Sequence, residues 1–106
     1  MRAKSATPRT RTSATHVLRL LKALKGHTLT GISNKQLTAR LGIDSSLVSI
    51  ALNTLESEGL AVQLENGRYA HSIEMLQIAQ AHTEHTMRMQ DRINDINTRI
   101  AAGVLS

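Results

Sequence analysis

The chain contains no cysteine, no phenylalanine and no tryptophan, and Tyr69 is its single aromatic residue. Lack of cysteine excludes disulfides and thiolate metal sites. Lack of aromatics means that a core must be assembled from Leu, Ile, Val, Met and Ala, which suits a small helical domain better than a β-sandwich. No apolar run approaches the roughly 18 residues that a membrane span requires. The basic N-terminus is followed by Ser- and Thr-rich sequence rather than by the apolar stretch of a secretion signal. The lack of cysteine is compatible with a cytoplasmic protein, and no membrane-spanning segment is expected. A length of 106 residues leaves room for one small domain with an extension.

Acidic residues are also missing, but only from one end. Residues 1–40 hold nine Lys and Arg and no Asp or Glu, whereas residues 41–106 hold four basic and eight acidic residues. A basic front half on a chain of net charge +5 points to an anionic partner, either nucleic acid or a membrane surface. Within the front half, MRAKSATPRTRT (residues 1–12) combines small polar residues, one Pro and four basic groups, the composition of a flexible arm.

What is present beyond residue 12 is a series of helix starts and stops. Ser13 is a plausible N-cap for a helix running to about Lys25, with Val17, Leu18, Leu21 and Leu24 as its apolar stripe. A loop follows, with a short strand possible around Leu29. Ser33 and Gln36 then form an S-x-x-Q capping box, Ile32 can staple onto Leu37, and Gly42 ends this second helix. Asp44 caps a third, whose Val48, Ala51, Leu52 and Leu55 face inward, and Gly59 with Leu60 provides a Schellman closure. Two short helices separated by Leu-Gly-Ile read as a helix-turn-helix. AVQLE and RYA, joined by Asn66-Gly67, read as a two-residue hairpin. The order predicts a mainly α (α+β) fold, a winged helix-turn-helix with a two-stranded wing over residues 13–71.

Residues 14–70 resemble the N-terminal winged-helix domain of IclR-type transcriptional regulators and, more loosely, of MarR-type ones. The stretches that carry the resemblance are HVLRLLKAL, LTARLGIDSSLVSIALNTLESEGLAV and NGRYA. The resemblance implies that helix 44–58 is the recognition helix and the hairpin is the wing. The chain departs from IclR-type regulators in stopping after one more helix, so no small-molecule effector is expected. It departs again in carrying no basic residue or His on the recognition helix, whose outward candidates are Ser45, Ser46, Ser49, Ile50 and Asn53.

Base readout does not require positive charge. Ser hydrogen-bonds base edges, Asn pairs with adenine, and an apolar side chain covers a thymine methyl. Phosphate contacts can come from Lys35, Arg40, the wing's Arg68 and the arm, because such contacts position a protein while base contacts specify. Arg9 and Arg11 either enter a minor groove or touch phosphates loosely. The expected partner is double-stranded DNA. Of the acids in the motif, Glu56, Glu58 and Glu65 fall at the far end of the third helix and the base of the wing, and Asp44 at a helix N-terminus.

Past the wing, Ser72 is expected to cap a helix reaching about Ala102. Met75, Ala79, His82, Thr86, Met89, Ile93, Ile96 and Ile100 recur on it at alternating steps of four and three, and Glu84–Arg88 and Asp95–Arg99 supply i,i+4 pairs. This stripe predicts a homodimer interface, with helix direction open. His82 and His85 share a face but lack a third ligand, so no metal or other cofactor is expected. No catalytic set of residues is evident, and an enzyme is not expected. The composite reading is a cytoplasmic, dimeric, sequence-specific DNA-binding regulator, nucleoid-associated when bound. The alternatives are an architectural or replication-terminus DNA binder and a winged-helix protein-interaction module.

Overall fold

The computed structural model describes residues 11–105, and the chain divides into two units, residues 1–74 and 75–106. The first unit contains α1 (Thr12–Ala23), α2 (Asn34–Leu41), α3 (Ser45–Ser57), β1 (Ala61–Gln63) and β2 (Tyr69–His71). Helix α4 (Ile73–Leu105) begins at the end of this unit and makes up the described part of the second. Helices on an antiparallel two-stranded sheet, in this order, are the winged helix that the sequence predicts.

Helix α1 starts one residue before the expected Ser13 cap. Arg11 takes the N-cap position with extended backbone and no side-chain cap bond, and its carbonyl accepts both the Thr15 N–H (2.9 Å) and the Thr15 hydroxyl (3.1 Å). The apolar stripe is shifted as well. Leu20 and Leu24 are fully buried, Val17 and Leu21 pack beside them, and Leu18 is 58% exposed. Positions 17, 20, 21 and 24 hold the i, i+3, i+4, i+7 spacing of one helix face, and Leu18 lies one residue, about 100°, to the side.

Helix α2 follows its sequence signals closely. Ser33 Oγ accepts the Gln36 N–H at 3.1 Å while Gln36 Oε1 accepts the Ser33 N–H at 3.0 Å, a complete capping box. Gly42 closes the helix in the left-handed conformation. Asp44 holds the N-cap position of α3, but its carboxylate makes no cap bond. Val48, Ala51, Leu52 and Leu55 are buried as expected. The helix ends in a full Schellman motif, with the Leu60 N–H on the Leu55 carbonyl (2.8 Å) and the Gly59 N–H on Glu56 (3.0 Å).

The wing corrects two expectations. Strand β1 pairs with β2 through Gln63↔Tyr69, so the connection is Leu64–Arg68 rather than Asn66-Gly67 alone. The Gly67 N–H bonds the Leu64 carbonyl (2.9 Å) and the Leu64 N–H bonds Arg68 (2.7 Å), which encloses Glu65, Asn66 and Gly67 in a three-residue loop. A two-residue type I′ turn needs positive φ at both central positions, and here only Gly67 has it (φ 84°). Asn66 instead caps the loop, accepting the Arg68 N–H on Oδ1 and donating from Nδ2 to the Thr30 carbonyl. The second correction concerns Leu29, which lies in a turn and is 92% exposed. The strand-like contact falls at Ile32, which exchanges two 2.9 Å bonds with Tyr69.

That contact depends on Gly31. Its φ is +74°, and a Cβ there would lie 2.7 Å from the Arg68 Cβ, so the loop backbone can meet the wing only at a glycine. From the same strand, His71 donates from Nε2 to the Leu21 carbonyl at 2.7 Å, tying β2 to α1. Ser72 precedes α4 directly, its hydroxyl donating to the Gly59 carbonyl at 2.6 Å.

The core joins the three short helices and the wing: Leu20 of α1 and Leu24 at its C-cap, Ile32, Leu37 of α2, Ile43, the four inward residues of α3, and Ala61 of β1. Burying each large aliphatic side chain contributes about 1.5–3 kcal/mol. Helix α4 extends three residues beyond the expected end at Ala102 and spans about 50 Å at the usual rise. On it, Met89, Ile93, Ile96 and Ile100 are 43, 51, 47 and 60% exposed. Of the two expected i,i+4 pairs, Asp95–Arg99 forms at 3.2 Å between two exposed side chains. Among the described residues no helix is long and apolar enough to cross a membrane.

Candidate nucleic-acid interface

Helical arithmetic on α3 separates its residues into three faces. Val48, Ala51, Leu52 and Leu55 are buried, and the positions opposite them, at about 100° per residue, are Ser46, Ile50, Asn53 and Ser57. All four are exposed. Ser46, Asn53 and Ser57 make no side-chain hydrogen bond with other described residues, so their donors and acceptors are unspent. Ser57 completes the i, i+4, i+7, i+11 series, and the sequence reading missed it although the spacing alone points to it.

Ser45 and Ser49 belong to a second face, turned toward α2. Asn34, the first residue of α2, donates from Nδ2 to Ser49 Oγ (2.8 Å) and to the Ser45 carbonyl (3.3 Å), and accepts the Ser45 hydroxyl on Oδ1 at 3.1 Å. Thr38 donates to the same Oδ1 at 3.1 Å. One amide thus ties α2 to α3 and occupies two of the five outward candidates. The tie from Asn34 to α3 carries no local sequence signal, because Ser45 and Ser49 lie 11 and 15 residues away.

The third face borders α1. Leu47, Ile50, Ala51 and Thr54 line a shallow groove with Ser13, His16 and Val17 of α1. Ile50 therefore sits at the edge of the outward face, 60% exposed, with one side toward the groove. The Thr54 hydroxyl is spent on the Ile50 carbonyl at 2.9 Å.

Basic charge is arranged around α3 rather than on it. No acid falls among Ser46, Ile50, Asn53 and Ser57. Glu56 lies about 90° away and half-buried, and Glu58 is in the C-cap turn. Glu65 sits in the wing's turn, not at its base as the sequence reading placed it. Lys35 on α2, Arg68 at the end of the wing loop and Arg11 at the start of α1 are exposed and have no ion pair among the described residues. Arg40 points elsewhere, donating from Nη1 to His27 Nε2 (3.3 Å) and sharing a cleft with Arg19 and Lys22 of α1. Arg9 lies outside the described residues. Among the described residues no group of three His, Asp or Glu is placed to hold a metal ion.

A helix-turn-helix closed by a Schellman stop and backed by a hairpin wing, with an uncharged outward face on its second helix, defines a winged helix-turn-helix domain. Residues 13–65 match the IclR helix-turn-helix domain, and the chain belongs to that family of transcription-regulator domains. No curated protein matches the chain. Among solved structures it is similar to a transcriptional antiterminator from Listeria monocytogenes EGD-e, at 16% identity and a TM-score of 0.47, over 86% of this chain and 75% of that one.

Proposed function

We propose that this chain is a small transcription regulator that binds double-stranded DNA sequence-specifically as a homodimer. Helix α3 enters the major groove, and the wing and N-terminal segment lie against the backbone or minor groove. The observation that carries the reading is the unspent face Ser46–Ile50–Asn53–Ser57. Asn53 can pair with adenine, the serines can reach base edges and Ile50 can cover a thymine methyl. Lys35, Arg68, Arg11 and Arg9 supply the phosphate contacts that orient it.

The dimer reading is supported by α4. Its stripe of Met75, Ala79, His82, Thr86, Met89, Ile93, Ile96 and Ile100 keeps the spacing of a two-helix seam, and Met89, Ile93, Ile96 and Ile100 are left about half exposed in a single chain. A second copy offers the same stripe and covers it symmetrically. Two recognition helices would then meet half-sites about one helical turn, or a multiple, apart.

The α1–α3 groove, together with exposed Leu18, Leu47 and Ile50, favours a second reading as a protein-interaction module. Selection of bound duplexes from a randomised pool separates the two. The DNA reading expects an enriched two-fold motif, and Asn53→Ala should relax preference at particular base pairs by about 1–3 kcal/mol. An unenriched pool, with affinities unmoved by Asn53→Ala, would leave the protein-interaction reading standing.

A further inference from the structure

A cleft of about 330 Å³ opens between α1 and α2, lined by Arg19, Lys22, Ala23, Arg40 and Leu41. Three of these residues are cationic, and none has a carboxylate within ion-pair distance among the described residues. Two of the cations are held from behind. Arg19 donates from Nη2 to the Leu41 carbonyl at 3.1 Å, and Arg40 from Nη1 to His27 Nε2 at 3.3 Å. A guanidinium carries five N–H donors, so each bond fixes an orientation and leaves the other donors free. The Lys22 ammonium makes no hydrogen bond to a described residue. Like charges gathered in one concavity repel. Lys22 and Arg40 occupy the last turns of their helices, where the helix dipoles offset part of that repulsion. An anion in the cleft would relieve the rest.

We infer that this cleft is a phosphate-binding site for a nucleic-acid backbone, an inference that rests on the DNA-binding reading above and adds a foothold to it. Arginine forks match the geometry of phosphate oxygens. The remaining lining, Ala23 and Leu41, offers no side-chain group to read a base or a sugar. The cleft is also open to solvent, whereas small-molecule sites enclose 70–90% of their ligand, so a backbone phosphate suits it better than a metabolite. No residue of α3 or of the wing lines it. On α2, Asn34 and Thr38 turn toward α3, while Arg40 turns to His27 and α1.

The test maps backbone amides of the full chain by NMR during titration with a DNA duplex and, separately, with inorganic phosphate. The salt dependence of duplex affinity is measured for wild type, Lys22→Gln and Arg40→Gln, whose amide spectra also report their folding. The duplex should shift amides of residues 19–23 and 40–42. Each substitution should lower the log–log salt slope by about 0.9, the share of one neutralised phosphate, weakening preferred and unrelated duplexes alike. A duplex that shifts α3 and the wing, with the cleft amides and both slopes unmoved, overturns the cleft while the DNA reading stands. Cleft amides that answer to inorganic phosphate but not to duplex assign the site to a free anion and overturn the nucleic-acid assignment. A chain that binds no duplex at all refutes the DNA reading, and this inference with it.

Discussion

The two units treat the same residue types in opposite ways. In the first, Leu20, Leu24, Leu37, Val48 and Leu52 are at 0% exposure, drawn from three helices that meet in one cluster. In the second, Ile93, Ile96 and Ile100 sit at 51, 47 and 60%. Both sets are aliphatic, and what distinguishes them is closure. Short helices with caps, staples and tight stops fold back on one another and satisfy their own apolar faces. A 33-residue helix presents an apolar stripe along a length that it cannot cover by itself. The first unit is therefore expected to hold its fold through internal contacts, and the second to draw its stability from whatever pairs with it.

Breaking the stripe should produce the largest effect. With a second copy on α4, Ile93→Asp combined with Ile96→Asp sets four carboxylates into one apolar seam and removes four buried isoleucines, a loss on the order of 6 kcal/mol or more of association. Sedimentation should show a dimer for wild type and a monomer for the double variant, with DNA affinity falling sharply and the amide spectrum of residues 11–72 retained. A wild type that sediments as a monomer at tens of micromolar would sink the interface.

The mirror experiment empties a site in the first unit. Leu52→Ala at a fully buried position should cost about 2–5 kcal/mol through lost transfer energy and the cavity left behind. Ile100→Ala, at a position 60% exposed, should leave the chemical denaturation of the first unit where it was. Equal shifts in the two variants would contradict the division between a self-closed unit and an open stripe.

The sequence exposed the features whose chemistry is local. The Ser33–Gln36 box, the stops at Gly42 and Gly59 and the inward residues of α3 each depend on partners a few positions away, and each is found where the spacing puts it. What escaped is set by distant groups. Val17-Leu18-Arg19-Leu20-Leu21 contains two overlapping helical stripes, and only packing decides that Leu20 goes in and Leu18 out. Asn66-Gly67 reads as a two-residue turn, but the Asn66 amide is drawn to the Thr30 carbonyl 36 residues back and the loop gains a residue. The exposed face of α3 was legible in Ser46, Ile50 and Asn53. Its border was not, because Ser45 and Ser49 are claimed by Asn34, and Arg40 joins Arg19 and Lys22 in a cleft that no spacing rule anticipates.

Asn34 gives the smallest effect and sharpens the comparison, since it tests whether the first unit is held by specific polar ties as well as by burial. Its amide joins α2 to α3 through Ser45 and Ser49 and also takes the Thr38 hydroxyl. The site is half-exposed, so water can replace most of what Asn34→Ala removes, and the net loss should be about 1 kcal/mol. It should appear as a lower urea midpoint with an unchanged slope. Asn34→Asp keeps an acceptor for Ser45 and Thr38 and adds a carboxylate at the first position of a helix, where negative charge is favourable. It should recover part of the loss, although it cannot donate to Ser49. Self-association through α4 should be the same in both variants. An Asn34→Ala protein that melts with wild type would show that burial alone fixes the angle between α2 and α3.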